Sequence, residues 1–226
     1  CSVGITIALL GTVLLYYNVV LHGGIKSLDW SVIMGVASHL DHRLMVVAFL
    51  FVLVGYGTKA GLVPMHTWLP DAHSQAMTPI SALLSGVLLK TSIYALIRFA
   101  IIAHKTLGTN FAFTVMMYAG LVSIGVASFF LLVQKDIKRL LAYSSIENVG
   151  VIVFALGVGT PLAVFGALFH ALNHACAKSL LFFSAGNIVK RFKTHNMHLI
   201  QGVLAAMPWT GTAMLVGLFA IIGMPP

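Results

Sequence analysis

Six apolar stretches run through this chain over approximately residues 3–21, 45–63, 79–102, 111–133, 137–157 and 161–186, and a seventh starts near Pro208. Each is close to the roughly 20 residues that carry a helix across about 30 Å of hydrocarbon. Hydrophobic residues make up 59% of the 226 positions and charged ones only 8%, against roughly 25% charged in soluble domains. The expected fold is therefore all-α, a polytopic membrane helix bundle in the lipid bilayer. Lys and Arg outnumber Asp and Glu by 13 to 5, a balance that would suit nucleic acid. Several of these lysines stand inside apolar runs rather than along a solvated stripe, which sets nucleic acid aside as a partner.

The links between the stretches are short. The segment PMHTWLPDAHSQAMTP, after the second stretch, is too polar for lipid and too rich in proline for one straight helix, so it reads as a break lining a protein-buried cavity. The closing GMPP reads as a second break, and two discontinuous helices point to a repeat architecture with an ion path near the midplane. One side of the membrane collects Lys135, Lys138, Arg139, Lys190, Arg191 and Lys193, the other Lys26, Arg43, Arg98 and Lys105. The positive-inside rule makes the first side cytoplasmic, and the expected location is the prokaryotic inner membrane. The chain opens CSVGITIALL, without Met, basic n-region or cleavage site, and closes GLFAIIGMPP. Both ends read as cut, giving one partial transmembrane domain over residues 1–226. Cys1 and Cys176 have no metal-ligand or redox spacing, and no nucleophile, flavin motif or cluster ligand is evident. No metal, cofactor or catalytic centre is expected within the chain.

The chemistry lies in ionisable residues where lipid should be. Lys90 sits 11 residues after Pro79, roughly 16 Å into the membrane at helical rise. A lysine at that depth costs about 2.5–3.5 kcal/mol on insertion scales, so it should face the protein interior, a wet cavity or a carboxylate rather than snorkel. Lys59 closes the second stretch, where glycines and Pro64 loosen the backbone and admit water; as a residue at a span's end it also fits an interface marker. His170, His174 and Lys178 recur at i, i+4 and i+8, one face of a helix and a ladder about 12 Å long, the arrangement a proton relay needs. The same histidines would fit a structural hydrogen-bonding role, while zinc lacks a third ligand. Lys138 and Glu147 lie on the preceding stretch, and Glu147, the single glutamate, is expected to counter-charge a lysine. Asp71 and His73, in WLPDAHSQ, are expected to cap the broken helix or line an entrance.

The run GYGTKAGLVPMHTWLPDAHSQAMTPISALLSGVLLKTSIYALIRF resembles the antiporter-like subunits shared by complex I, multisubunit sodium/proton antiporters and membrane-bound hydrogenases. The likeness continues through QKDIKRLLAYSSIENVGV, HALNHACAKSLLFFSAGNIV and GLFAIIGMPP, and the segments SSIENVG and ALNHACAKSLLFFSAGN are most similar to the hydrogenase 4 branch of the family, in its F component. The resemblance implies a fold of about fourteen helices in two inverted halves, of which this chain supplies a fragment, with breaks near Gly61–Pro64 and Gly223–Pro226 at equivalent places. It implies that Lys59 is the broken-helix lysine that pairs with a glutamate, that Lys90 is the central lysine, and that Lys138, His170, His174 and Lys178 form the connecting relay. The paired glutamate would precede Cys1 and a terminal Lys or Glu would follow Pro226, so this stretch alone should not pump.

The implied function is proton translocation by a non-redox membrane subunit of an oxidoreductase complex, of hydrogenase 4 or NADH-quinone oxidoreductase type. Its implied partners are other membrane-arm subunits and a peripheral redox module. A sodium/proton antiporter subunit and a non-conducting structural anchor are the alternatives. Sodium-dependent activity without a redox partner would mark the first, and natural loss of the glutamate helix the second.

Overall fold

The computed structural model describes residues 2–223. Its helices are α1 (Ser2–Gly23), α2 (Trp30–Val36), α3 (His42–Ala60), α4 (Trp68–Gln75), α5 (Thr78–Leu83), α6 (Leu89–Leu107), α7 (Phe111–Val133), α8 (Ile137–Val158), α9 (Pro161–Phe192), α10 (Val203–Ala206) and α11 (Pro208–Ile222). All seven expected apolar stretches are helical, with bounds shifted by a few residues. Among the described residues, five helical runs are long and apolar enough to cross a membrane: α1, α3, the α5–α6 run, α7 and α8. The longest helix, the 32-residue α9, falls outside that group because His170, Asn173, His174 and Lys178 dilute its apolar character.

Packing follows small residues rather than polarity. Lipid is as apolar as a leucine side chain, so helices associate where backbones approach closely. On α7 the inward stripe is Ala112, Met116, Gly120, Ser123 and Ala127, while Phe129, Leu132 and Val133 face outward. Across from it, a Cβ added at Gly157 of α8 would lie 2.4 Å from the Met117 backbone nitrogen. The contact admits glycine alone.

Helices α3 and α4 form one interrupted span. Gly61 takes a left-handed conformation (φ 84°) that ends α3, and the freed backbone is re-satisfied from several directions. Leu62 N donates to Gly57 O at 2.8 Å, Val63 N donates to Ser123 Oγ at 3.0 Å, and the Trp68 indole donates to Thr58 O at 2.7 Å. The expected first break is therefore present. Of the second, Gly223 ends α11 in a left-handed conformation, while the remaining residues, like Cys1, lie outside the described residues. At the end of the bundle carrying Lys135 and Lys193, the segments before α8 and after α9 join: Ile137 N donates to His195 O at 3.1 Å and Met197 N to Lys135 O at 2.9 Å.

Candidate functional site

The site is assembled around α9, whose polar face turns inward against α6 and α8. Between α5 and α6 the backbone forms a π-helical turn over Leu84–Leu88, a feature frequent at functional sites. That turn offers the Ser85 carbonyl to the Lys90 side chain, whose Nζ donates to it at 2.5 Å. The same Nζ lies 2.5 Å from His174 Nδ1, joining α6 to the ladder on α9. His174 is fully buried, and its Nε2 has no hydrogen-bond partner among the described residues.

One turn either way along α9 the ladder continues. The His170 ring lies 6.4 Å from that of His174, centroid to centroid, and its Nε2 is 2.9 Å from Asn148 Oδ1 on α8. Lys178 has no exposed surface; its ammonium donates to Leu141 O at 2.9 Å and to Ser144 Oγ. Lys90 thus meets His174, with His170 and Lys178 one turn to either side of it on α9. Sequence reasoning missed Ser144 and Asn148, which stand four residues apart on the face of α8 that meets the ladder.

Beyond Lys178 the polar residues continue toward the Lys135 end of the bundle. His73 of α4 is 1% exposed, its ring stacked on Phe182 at 4.7 Å, within electrostatic reach of both Lys178 and Lys138. Lys138 is buried and donates to Ala76 O at 3.0 Å. It lies beyond the ladder, while Lys90 joins the ladder directly. Lys59, in the last turn of α3, sits 5.8 Å from the centre of the Trp68 ring and lines a cavity of about 570 Å³ with Thr12, Tyr56, Thr91 and Ser92. It stands apart from the Lys90–His174 contact.

One expectation is refined and one corrected. Glu147 forms no direct ion pair among the described residues and accepts from Ser128 Oγ at 3.0 Å, while its charge stands within electrostatic reach of Lys178, so it counter-charges that lysine from a distance. Asp71 does not cap the broken helix, since the residue in the cap position, Thr67, makes no side-chain cap bond. Asp71 instead forms an exposed ion pair with Arg139, which closes α4 against the start of α8.

Residues 2–226 match the family described as NADH:quinone oxidoreductase/Mrp antiporter, TM. The chain is 41% identical to the hydrogenase-4 component F homolog of Methylacidiphilum infernorum (isolate V4), over 100% of its own length and 48% of that protein's. It is 33% identical to NADH-quinone oxidoreductase subunit M of Escherichia coli (strain K12), over 97% of its length and 42% of the other's. The chain thus spans about half the length of the curated relatives it matches. Among solved structures, a chain of the membrane-bound sulfane sulfur reductase, an archaeal respiratory membrane complex, superposes with a TM-score of 0.89 at 28% identity, covering 99% of this chain and 45% of that one.

Proposed function

Because this chain belongs to the NADH:quinone oxidoreductase/Mrp antiporter transmembrane family, we propose that it moves protons through the membrane arm of a redox-driven complex of the hydrogenase 4 type. The observation that carries this reading is the contact between Lys90 Nζ and His174 Nδ1, which brings a mid-span lysine onto a buried histidine and lysine ladder. An ammonium that donates to Nδ1 meets a neutral imidazole whose own proton is on Nε2. Accepting a proton at Nδ1 and releasing one at Nε2 carries charge across the ring without moving the helix. Nε2 bonds neither neighbour directly, so the proton passes by way of intervening water to His170 or Lys178, one turn to either side on α9.

Charge coupling orders the steps. Unit charges about 7 Å apart interact by about 2.4 kcal/mol at an effective dielectric near 20. A proton arriving at Lys90 therefore disfavours one at Lys178, so the ladder passes charge singly. Lys59 supplies protons from its cavity, and Lys138, reached by way of His73, connects the ladder to the cytoplasmic side of a prokaryotic inner membrane. In this reading the electron chemistry belongs to a peripheral redox module, and other membrane-arm subunits complete the path.

The test is proton uptake by the full-length complex reconstituted in sealed vesicles, with electron transfer followed separately. Lys90→Ala should abolish uptake and leave an assembled complex with part of its redox activity. Unchanged uptake would make Lys90 structural. Uptake that requires sodium and continues without a redox partner would instead assign the chain to an antiporter.

A further inference from the structure

At the end of the bundle remote from Lys138, helices α1, α2 and α6 enclose a cavity of about 250 Å³ walled by Leu15, Leu28, Trp30, Ile33, Phe99 and Ile102. Arg98 stands among its lining residues. The guanidinium carbon lies 4.9 Å from the centre of the Trp30 ring and 4.8 Å from that of Tyr94, so two aromatic rings hold the guanidinium. Trp30 is itself pinned, its indole donating to Arg98 O at 3.3 Å. Stacking occupies the faces of a guanidinium and leaves its five N–H donors free in the plane. Among the described residues the Arg98 side chain makes no ion pair and no hydrogen bond.

A carboxylate stands within electrostatic reach of this cation. Asp29 caps α2 through Oδ1, which accepts from Ser31 N at 3.0 Å and Ser31 Oγ at 2.9 Å, and its Oδ2 accepts no hydrogen bond among the described residues. The bonds from the Ser31 amide and hydroxyl, and then the Arg98 charge, hold the Asp29 carboxyl below its ordinary value, so it is ionised at neutral pH. The depth suits a lipid headgroup. Residues Thr78–Leu107 form a run of 30 residues, about 45 Å at helical rise against roughly 30 Å of hydrocarbon. Arg98 is nine residues from the end of that run, about 13 Å, which puts it with Trp30 at the polar boundary where tryptophan concentrates.

We propose that this is a binding site for phosphatidylethanolamine, with the phosphate on the edge of Arg98, the ammonium on Asp29 Oδ2 and the headgroup-proximal part of one acyl chain in the cavity. The charge pattern selects the headgroup. A planar fork of N–H donors matches two phosphate oxygens, and an adjacent carboxylate matches a primary ammonium. A choline headgroup has no N–H to donate to Asp29, and a glycerol headgroup brings no cation, leaving the carboxylate to repel its phosphate. The site rests on α1, α2 and α6 and is independent of the proton-transfer reading.

The experiment is native mass spectrometry of the full-length subunit released from nanodiscs of equal phosphatidylethanolamine, phosphatidylcholine and phosphatidylglycerol. The wild type should retain phosphatidylethanolamine above its share of the bilayer. Arg98→Gln should lower that retention by about tenfold, the expected consequence of losing a bidentate charge-assisted contact. Asp29→Asn keeps an N-cap residue on α2 and should erase the preference over phosphatidylglycerol. If Arg98→Gln fails to insert, Arg98→Lys serves in its place, keeping the charge while losing the planar fork, and should lower retention by a smaller factor. Retention unchanged in the Arg98 variant, a wild-type preference for phosphatidylglycerol or phosphatidylcholine, or no lipid retained by the wild type would each overturn the proposal.

Discussion

Lys178 tests most sharply whether the ladder is a relay or a scaffold. A lysine with no exposed surface is costly unless its ammonium is hydrogen-bonded, and here the Leu141 carbonyl and the Ser144 hydroxyl fill that role. Those partners are neutral, so an apolar side chain of similar volume removes the desolvation cost of the ammonium and strands no directly paired charge. Lys178→Met is therefore expected to unfold no more easily than the wild type in denaturant titrations, while proton uptake by the complete complex falls to the leak rate. Loss of stability together with loss of uptake would mark Lys178 as structural. The ladder itself was legible in the sequence, because a spacing of four residues repeats on one helical face and its members are ionisable. Its partners were not. Ser144 and Asn148 are uncharged and common within spans, and nothing in one sequence tells which face of α8 meets α9. Glu147 stands out in the sequence because it is charged, but that its bond goes to Ser128 and that it acts on Lys178 only from a distance depends on how α8 packs. Asp71 finds its partner in Arg139, 68 residues away, a separation that local pattern does not bridge.

The interrupted α3–α4 span shows what proline and glycine announce and what they leave unsaid. Gly61 and Pro64 mark where the helix must stop, since one supplies positive φ and the other lacks an amide hydrogen. How the loosened end is held is a tertiary matter, settled by Trp68 and by Ser123 from another helix. The short helices α2 and α4 and the π turn carry no periodicity long enough to read, and in lipid both faces of a span are apolar, so hydropathy does not tell inside from outside. The Trp68 bond gives a prediction for this element. Trp68→Phe keeps an aromatic ring near Lys59 but removes the shorter of the two bonds to Thr58 O, leaving it only the 3.3 Å bond from Gly61 N, at a cost of about 0.5–1.5 kcal/mol. Amide exchange followed by mass spectrometry should speed up over residues 57–62 and stay at wild-type rates in α7 and α8. Faster exchange across the whole bundle would mean that Trp68 supports global packing instead of the break alone.

For the whole molecule, orientation in the membrane is the property that sequence fixes least and the fold sharpens most. The loop count of six basic residues against four is a narrow margin for the positive-inside rule. The structure removes several of these from the comparison. Lys138 is buried on Ala76 O and Arg139 is paired with Asp71, leaving Lys135, Lys190, Arg191 and Lys193 exposed at that end. At the other end Lys105 donates to Met34 O and the Arg98 charge is offset by the nearby Asp29 carboxylate, leaving Lys26 and Arg43. The bias thus becomes four against two. A cation that no group of the chain itself offsets or binds is the kind this comparison weighs, so the end bearing Thr194 is expected in the cytoplasm and the end bearing Ser27 on the opposite side. Single cysteines at Thr194 and at Ser27, each in a background with Cys1 and Cys176 replaced by alanine, should separate the two under a membrane-impermeant thiol reagent. In right-side-out vesicles Ser27→Cys should label at once and Thr194→Cys only after permeabilisation. The reverse pattern would invert the orientation, and with it the side on which Lys138, at the Thr194 end of the bundle, stands.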